Sequence, residues 1–404
     1  MLLLCLSGSV MYWLPFFSEV YYVPMQNAFG FSNTQIGILS STFGFVSMVA
    51  YIPGGWLADR FPPRGLITIA LLIMSAGGFV FSTIPSFEVC VILFGSWGLA
   101  TALVFWSAMI KAIRNWGGKE EQGRAYGFLE GGRSITDMTA GAVILAIFAF
   151  RGGDFAALTE NIQIQAAVPL VLAIVVWLLM KDVKARDNEP QEARTTINFK
   201  DLGALIRMPM VWLLAIIIMA AYSGMLGAVY LTPYATDIFA LGDVLGGAIG
   251  IGKYWLAPVA AIAAGFIADR IGTAKAVVGS FIFMTTGFLI FGLIPGAPNL
   301  VPLLLINVAI ISGAVFALRG IYFALLEQGG IPVAVTGTAA GLVSIVGYTP
   351  DIFVPLLAGS ILDAYPGAQG YQTLFLLIGG MSFVGLVAAY IAYRRIQTSP
   401  AVAR

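Results

Sequence analysis

Three ionisable residues with helical spacing lie inside one long apolar segment. Glu130, Arg133 and Asp137 are three and four residues apart, so on an α-helix they share one face. The segment around them, residues 124–150, is long enough to cross a bilayer. Charged groups at that depth are costly and rarely face lipid, so this face must meet a neighbouring helix or a water-filled cavity. The stripe is either a structural ion pair or part of a site that binds a substrate or carries a proton.

The composition indicates what kind of element positions this stripe. Of 404 residues, 59% are hydrophobic and only 10% are charged, which is typical of a polytopic membrane protein. The two cysteines lie in apolar runs, so we expect neither a disulfide framework nor a zinc site. The absence of histidine excludes His-based catalysis, His metal ligation and a His proton relay.

The chain divides into twelve apolar segments, which we call spans 1 to 12. They cover residues 2–24, 34–58, 65–81, 89–113, 124–150, 162–180, 208–234, 245–268, 274–294, 300–326, 333–361 and 371–394. The first span begins at the N-terminus without a basic region, so we interpret it as a membrane helix and not as a cleaved signal. The fold class predicted is therefore an all-α polytopic membrane protein of twelve transmembrane helices.

The distribution of basic residues predicts the orientation. With the N-terminus in the cytoplasm, nearly all loop lysines and arginines fall inside, and the outer loops keep only Arg151. This asymmetry places both termini in the cytoplasm of an inner (plasma) membrane protein. The longest polar stretch, residues 181–207, then becomes a cytoplasmic linker between an N-terminal half, 1–180, and a C-terminal half, 208–394, followed by a tail, 395–404.

The two halves repeat each other. The sequence Gly-Trp-Leu-Ala-Asp-Arg at 55–60, after span 2, matches Gly-Phe-Ile-Ala-Asp-Arg at 265–270, after span 8. Gly127 with Asp137 in span 5 likewise matches Gly341 with Asp351 in span 11. A repeated six-helix unit is typical of a transporter whose site lies between two pseudo-symmetric halves near the middle of the membrane.

Twelve spans, a long central linker and the repeated Gly-x-x-x-Asp-Arg loop resemble the major facilitator superfamily over the whole chain. The resemblance implies alternating access, no cofactor and a monomer. It also implies a cytoplasmic latch between the halves, with the gating-loop residues Gly55, Asp59, Arg60, Asp269 and Arg270. The first loop departs from the family pattern at 61–63, Phe-Pro-Pro, so its turn is altered. The other interpretation of these loops is a basic cluster that only sets topology.

Two arginines lie at similar depth, one in each half. By the helix rise, Arg133 is about 13 Å and Arg319 about 12 Å from the cytoplasmic ends of their spans. Arginine suits bidentate capture of carboxylate, sulfonate or phosphate oxygens, so the pair predicts an anion clamp. Lys253 and Asp351 lie further from the cytoplasm, each about 24 Å from the cytoplasmic end of its span by the same rise. We expect either an ion pair between them or a third substrate ligand in Lys253.

Four acids in the spans are the candidates for proton coupling or ion pairing, because buried carboxylates can carry protons and histidine is absent. They are Glu19, Glu130, Asp137 and Asp351. Aromatic residues on spans that would line a cavity are further candidates for substrate contact, and Tyr22, Trp106 and Tyr222 are the ones we select.

These observations predict a non-enzymatic secondary transporter for a small organic anion, proton-coupled or exchange-driven, in symport or antiport. No phosphate-binding loop or nucleic-acid motif is present in the sequence, and the expected partners are the substrate anion and the bilayer. Span 5 distantly resembles the anion-porter groups, including nitrate/nitrite and organophosphate carriers. It carries Glu130 and Arg133 where nitrate porters have Gly- and Asn-rich signatures, and span 1 carries Glu19 where organophosphate exchangers have an arginine. A proton-coupled drug efflux pump and a neutral sugar or nucleoside transporter remain the alternatives.

Overall fold

The computed structural model describes residues 1–117, 122–181, 205–294, 296–329 and 336–398. Within these ranges the secondary structure is helical throughout, joined by turns and short loops, with no strand. Residues 182–204, which make up most of the predicted linker, and residues 399–404 of the tail lie outside the described part. The fold class predicted from the sequence is confirmed.

The N-terminal half contains the first six spans. Its helices are Leu2–Val10 and Ser18–Phe29 for span 1, Asn33–Arg60 for span 2, Pro63–Phe81 for span 3, Phe87–Leu99 with Ala100–Trp106 and Ser107–Gly117 for span 4, Gln122–Phe150 for span 5 and Phe155–Leu179 for span 6.

The C-terminal half contains the other six. Its helices are Pro209–Gly227 and Leu231–Asp237 for span 7, Gly242–Ile271 for span 8, Thr273–Leu293 for span 9, Val301–Ile321 and Leu325–Gln328 for span 10, Thr336–Gly347 and Pro350–Ala364 for span 11 and Ala368–Thr398 for span 12.

Spans 3 to 12 are the ten helical segments of the described chain that are long and apolar enough to cross a membrane. Span 2 forms one continuous helix of 28 residues, Asn33–Arg60. Span 1 differs from the prediction of one helix over 2–24: it consists of two helices, separated by turns at residues 11–17 and ending at Phe29. The proline at position 15 lies in that break and supplies no backbone N–H for a continuous helix.

Internal pseudo-symmetry is visible in the packing. Span 3 packs along span 6, and in the second half span 9 packs along span 12. Small residues permit close contact between these helices. This is typical of membrane proteins, because lipid tails are as apolar as the side chains and helix association depends on close packing. A Cβ atom on Gly78 of span 3 would lie 2.7 Å from the Cβ of Ala166 in span 6.

By spatial contact the chain forms two compact units. Unit 1 comprises Met1–Lys184, Val229–Tyr254 and Asp351–Ala364, and unit 2 comprises Ala185–Ala228, Trp255–Pro350 and Tyr365–Arg404. Unit 1 thus combines the N-terminal half with parts of spans 7, 8 and 11. The boundaries of the halves, linker and tail along the sequence remain predictions.

Candidate functional site

Arg133 is held by span 1. Its Nε donates a hydrogen bond to the carbonyl oxygen of Gly8 at 3.1 Å. The close approach requires glycine, because a Cβ at position 8 would lie 2.8 Å from Cδ of Arg133. The carbonyl lies in the last turn of the helix Leu2–Val10, where the break in span 1 begins. Discontinuous membrane helices expose backbone groups of this kind where they line a cavity or a site.

Two aromatic rings flank the same guanidinium. Its central carbon lies 5.4 Å from the ring centre of Tyr12 and 5.8 Å from that of Trp106, within the range of a cation–π attraction. Trp106 ends a π-helical stretch, Ala100–Trp106, which interrupts the α-helix of span 4. Such wider turns shift the register of the residues that follow and occur frequently at functional sites. Arg133 and Trp106, both selected from the sequence, are therefore neighbours.

Asp137, one turn further along span 5, is also directed to span 1. Its carboxylate accepts hydrogen bonds from the hydroxyl of Ser9 and, at 3.1 Å, from the indole N–H of Trp13. Arg133 is close enough to attract it electrostatically. The side chain of Glu130 lies outside the described part, so the complete stripe remains a prediction. Ser9 and Trp13 were missed by the sequence argument, because only the break in span 1 directs them to span 5.

A buried ion pair lies within unit 1. Nζ of Lys253 is 3.1 Å from the carboxylate of Glu19, and both side chains are only 6% exposed. The hydroxyl of Tyr254 donates to the same carboxylate oxygen at 2.5 Å, and the hydroxyl of Thr232 donates to the backbone oxygen of Glu19 at 2.8 Å. Gly250 makes room for span 1, since a Cβ there would lie 2.5 Å from that backbone oxygen.

This pairing differs from the partners considered from depth along the sequence. Lys253 meets Glu19 of span 1, whereas Asp351 packs against Gly44 of span 2, where an added Cβ would lie 2.6 Å from the Cβ of Asp351. Depth alone could not distinguish these acids, because it specifies distance along a helix and not which helix is adjacent. The role of Lys253 in substrate binding stays a prediction.

Tyr22 is buried against other distal residues, where distal means the side of the loop between spans 1 and 2, predicted to be extracellular. Its hydroxyl donates to Oδ1 of Asn33 at 3.0 Å. Its ring packs edge-on against Tyr230 at 5.8 Å, and the hydroxyl of Tyr230 donates to the carbonyl of Pro355 at 3.3 Å. Its structural surroundings are therefore those of a contact between helix ends, and its selection as a substrate ligand remains a prediction.

Unit 2 holds a second cluster around Arg319. The guanidinium is exposed, and its Nη1 donates to the sulfur of Met225 at 3.1 Å. One residue of this cluster, Tyr348, was missed by the sequence argument. Its hydroxyl is 3.5 Å from that of Tyr322, and its ring packs edge-on against Tyr222 at 4.9 Å.

The helix breaks explain why these residues meet. Tyr348 lies between the helices Thr336–Gly347 and Pro350–Ala364, so span 11 is interrupted rather than continuous as predicted. Tyr322 begins the short 3-10 turn that follows the helix Val301–Ile321. Proline at position 350 directly after Tyr348-Thr349 is the sequence signal that could have revealed the break.

The residues predicted to form gating loops lie instead in the last turns of the helices Asn33–Arg60 and Gly242–Ile271, which extend beyond the apolar segments. Arg60, exposed at the end of span 2, stacks over the ring of Trp56 at 3.9 Å, and Asp269 and Arg270 are exposed at the end of span 8. Gly55 lies in the helix of span 2, and the side chain of Asp59 is outside the described part. Their latch function remains a prediction.

Lys111 of span 4, which was not among the predicted gating residues, binds carbonyl groups at the C-terminal end of span 2. Nζ of Lys111 donates to the carbonyl of Ala58 at 2.6 Å and approaches that of Phe61 at 3.4 Å. An ammonium group at a helix C-terminus satisfies free carbonyls and complements the helix dipole. Lys111 therefore ties span 4 to the end of span 2.

No group of three or more Cys, Asp or Glu side chains able to hold a metal ion occurs among the described residues. The clusters instead consist of one cation with aromatic, hydroxyl or carboxylate neighbours. Such groups can bind a charged or hydroxylated small molecule through hydrogen bonds and electrostatic attraction.

Comparison with known proteins agrees with this architecture. The family model described as Major Facilitator Superfamily matches residues 2–355. The inner membrane protein YqcE of Escherichia coli (strain K12) is 28% identical over 402 residues, 97% of this chain and 94% of that protein. The probable nitrate/nitrite antiporter NarK1 of Thermus thermophilus is 26% identical over 294 residues, 69% of this chain and 62% of that protein.

Among solved structures, the crystal structure of the nucleoside transporter NupG superposes with a TM-score of 0.75 at 17% identity, covering 97% of this chain and 99% of that one. That similarity shows the fold. With the family match across most of the chain and the helices found here, it leads to one conclusion: the chain belongs to the Major Facilitator Superfamily and is a multi-pass inner-membrane secondary transporter that works by alternating access.

Proposed function

We propose that the transported substrate is a small organic anion. The observation that supports this most is the environment of Arg133, whose guanidinium lies between Tyr12 and Trp106 and donates to the Gly8 carbonyl. A neutral carbonyl is a weaker acceptor than a carboxylate, sulfonate or phosphate oxygen, so an anion that reached this guanidinium would form stronger, charge-assisted hydrogen bonds. The similarity to a probable nitrate/nitrite antiporter agrees with an anionic substrate.

Arg319 supports the same proposal from the second half. Its Nη1 donates to the thioether of Met225, a weak hydrogen-bond acceptor. The phenol group of Tyr322 is adjacent to it, and the hydroxyl of Tyr348 lies 3.5 Å from that of Tyr322. In our proposal these hydroxyls bind hydroxyl or carboxyl groups of the organic anion. In our proposal Arg133 and Arg319 each contact the anion during the transport cycle.

Ligand-dependent thermal stabilisation of the purified protein tests the proposal. The panel contains carboxylates, sulfonates, phosphorylated compounds, nitrate, nucleosides, sugars and cationic drugs. A compound at a hundred times its Kd stabilises the folded state by about 2.7 kcal/mol, so a genuine ligand gives a clear shift. We expect one anion class to give that shift.

Three variants assign the shift to the arginines. Arg319→Ala removes one guanidinium, and Arg133→Lys keeps the charge of the other but removes its planar fork. Arg151→Ala is the matched control, because it removes an arginine from an exposed pair with Glu160 at the outer end of span 5. We expect the anion shift to vanish in the first variant, weaken in the second and persist in the control. An anion shift that survives Arg319→Ala and Arg133→Lys would refute the proposal.

The alternative is a neutral nucleoside or sugar, and the cluster of Tyr222, Tyr322 and Tyr348 is the observation that favours it. Aromatic rings stack on bases and sugar faces and their hydroxyls bond to sugar hydroxyls. The solved structure with the same fold that is described as a nucleoside transporter agrees with this option. A shift given only by nucleosides or sugars and indifferent to both arginines would establish it. A shift given only by cationic drugs would point to an efflux pump.

Energy coupling is proposed to run through a proton or through exchange. Two of the four candidate acids are proposed to take part: Glu19, which contacts Lys253 and Tyr254, and Asp137, which accepts from Ser9 and Trp13. Uptake into proteoliposomes driven by a pH gradient, compared with uptake driven by the same anion preloaded inside, separates the two modes. Glu19→Gln, which cannot release a proton, is expected to abolish the pH-driven uptake and spare the exchange.

A further inference from the structure

Asp363 connects the ends of two spans from different sequence halves. It lies at the end of the helix Pro350–Ala364, and its carboxylate accepts three hydrogen bonds from the start of the helix Asn33–Arg60. One oxygen accepts from the backbone N–H and the side-chain amide of Asn33, both at 2.9 Å, and the other accepts from the backbone N–H of Thr34 at 2.8 Å. All of these residues belong to unit 1.

The donors of these hydrogen bonds lie at a helix N-terminus, which is a favourable partner for a carboxylate. The first N–H groups of a helix have no partner within it, and the helix dipole concentrates partial positive charge there. The helix of span 2 is 28 residues long, and Asp363 satisfies two of its free N–H groups with a full negative charge. This contact is therefore an ionic cap supplied by a distant part of the chain.

Span 2 also carries a local cap formed by residues of its own start. The side chain of Ser32 accepts from the backbone N–H of Gln35 at 3.2 Å, and the side chain of Gln35 accepts from the backbone N–H of Ser32 at 2.9 Å. This reciprocal capping box keeps the helix start ordered by itself. Asp363 can therefore leave without unwinding span 2, which is what a contact that forms and breaks repeatedly requires.

Asn33 also forms hydrogen bonds with span 1. Oδ1 of Asn33 accepts from the hydroxyl of Tyr22 at 3.0 Å and from the amide of Gln26 at 3.2 Å, while its amide nitrogen donates to Asp363. One side chain thus links the distal ends of spans 1, 2 and 11. Loss of the carboxylate removes the partner of its amide nitrogen and weakens the whole junction.

Glycines allow spans 2 and 11 to come this close. Gly37 and Gly44 of span 2 contact the backbone of Pro355 and Asp351 in span 11, and Gly359 of span 11 contacts the backbone of Asn33. Side chains at these positions would separate the two helices. The carboxylate of Asp363 reaches the N–H groups only when the two helices are this close. Its hydrogen bonds therefore depend on the close packing of spans 2 and 11.

We propose that Asp363 is a reversible latch that holds the distal ends of spans 2 and 11 together and releases them once in each transport cycle. The inference rests on alternating access and is independent of the substrate class, so its failure would leave the anion proposal untouched. The predicted gating residues lie at the opposite ends of spans 2 and 8. Asp363 would therefore control the other side of the membrane.

The rate at which a buried thiol is alkylated measures how often the distal side opens. Thr232→Cys places the thiol at a position that is 3% exposed, where span 7 contacts span 1. The native cysteines, Cys5 and Cys90, are both buried and are replaced by alanine in the parent protein. The labelling rate with a charged maleimide is measured on protein in nanodiscs, with no substrate present.

Asp363→Ala is compared with a matched control. Asp154 caps the helix Phe155–Leu179 by accepting from the backbone N–H of Ala157 at 2.9 Å, and both residues lie in one sequence half. Loss of a helix cap shifts an equilibrium by about fivefold to thirtyfold. We expect Asp363→Ala to accelerate labelling by that factor and Asp363→Asn, which keeps one acceptor oxygen, to do so less.

Asp154→Ala is expected to leave the labelling rate within about twofold of the parent, because its cap does not join the two halves. A rate for Asp363→Ala equal to that of the parent would overturn the latch. An equal acceleration in Asp154→Ala would overturn it too, since the effect would then be general loosening. If Asp363→Ala does not fold, Asp363→Asn decides alone: labelling as slow as in the parent would reject the proposal.

Discussion

The buried pair between Glu19 and Lys253 permits a quantitative test of how unit 1 is held together. The two charges are 3.1 Å apart and each side chain is 6% exposed, so neither has water to replace a lost partner. Removing one partner of such a pair leaves an uncompensated buried charge, which costs about 3–5 kcal/mol. We therefore expect Glu19→Gln or Lys253→Met alone to lower the free energy of unfolding by that amount.

The double variant is expected to lose less stability than either single variant. With both charges replaced by neutral groups of similar size, no charge remains buried, and such replacements are often neutral or stabilising. Glu19→Gln combined with Lys253→Met should therefore be closer in stability to the parent than either single variant is. The glutamine can still accept the hydrogen bond from Tyr254, so that contact is preserved.

Unfolding in detergent micelles, followed by thermal melting and denaturant titration, measures all four proteins of this cycle. The pair Arg151–Glu160 is the control, because its charges are as close, at 2.9 Å, but the side chains are 57% and 38% exposed. Exposed pairs contribute about 0–1 kcal/mol, so Arg151→Met should have little effect. If Lys253→Met cost no more than Arg151→Met, or if the two single effects simply added, the argument from burial would be wrong.

Four further predictions concern helix propensity, packing, capping and orientation. Gly131→Ala should stabilise the protein by about 1 kcal/mol, because a Cβ there meets nothing within 4 Å and alanine favours the helix. Gly250→Ala should instead destabilise it by about 1–3 kcal/mol, because the Cβ would meet the backbone oxygen of Glu19 at 2.5 Å; melting curves of both variants decide. Lys111→Met should cost about 0.3–1 kcal/mol through the lost bond to the carbonyl of Ala58, measured in the same way. A green fluorescent protein fused to the C-terminus should fluoresce and a periplasmic phosphatase fused there should be inactive, and the reverse result would refute the predicted orientation.

Interruptions within the helices were not predicted from the sequence. Hydrophobic length predicted spans 1, 4 and 11 as single segments. The structure interrupts span 1 with turns at residues 11–17, span 4 with the π-helical stretch Ala100–Trp106 and span 11 with a turn at residues 348–349. Such interruptions leave the mean hydropathy of a segment unchanged. They nevertheless decide that Gly8 and Trp106 meet Arg133 and that Tyr348 meets Tyr322.

Charged residues inside the spans could be selected from the sequence, but the residues that they contact could not be predicted. Charge at membrane depth is costly wherever it occurs, so Glu19, Arg133, Asp137 and Lys253 could be selected from residue type and position alone. Which of them meet depends on which helices are adjacent. The structure pairs Lys253 with Glu19, more than two hundred residues away along the chain, and directs Asp137 to Ser9 and Trp13.

The sequence by itself determined that this protein is a bundle of membrane helices with two related halves. Lipid offers no partner to backbone groups, so every long apolar segment must become a helix, and a repeated loop motif reveals the duplication. The tertiary structure alone decided the contacts between helices: the Gly8 carbonyl on Arg133, the buried pair of Lys253 and Glu19, and the carboxylate of Asp363 on the start of span 2. These contacts join residues distant along the chain, and their geometry depends on packing that no local pattern encodes.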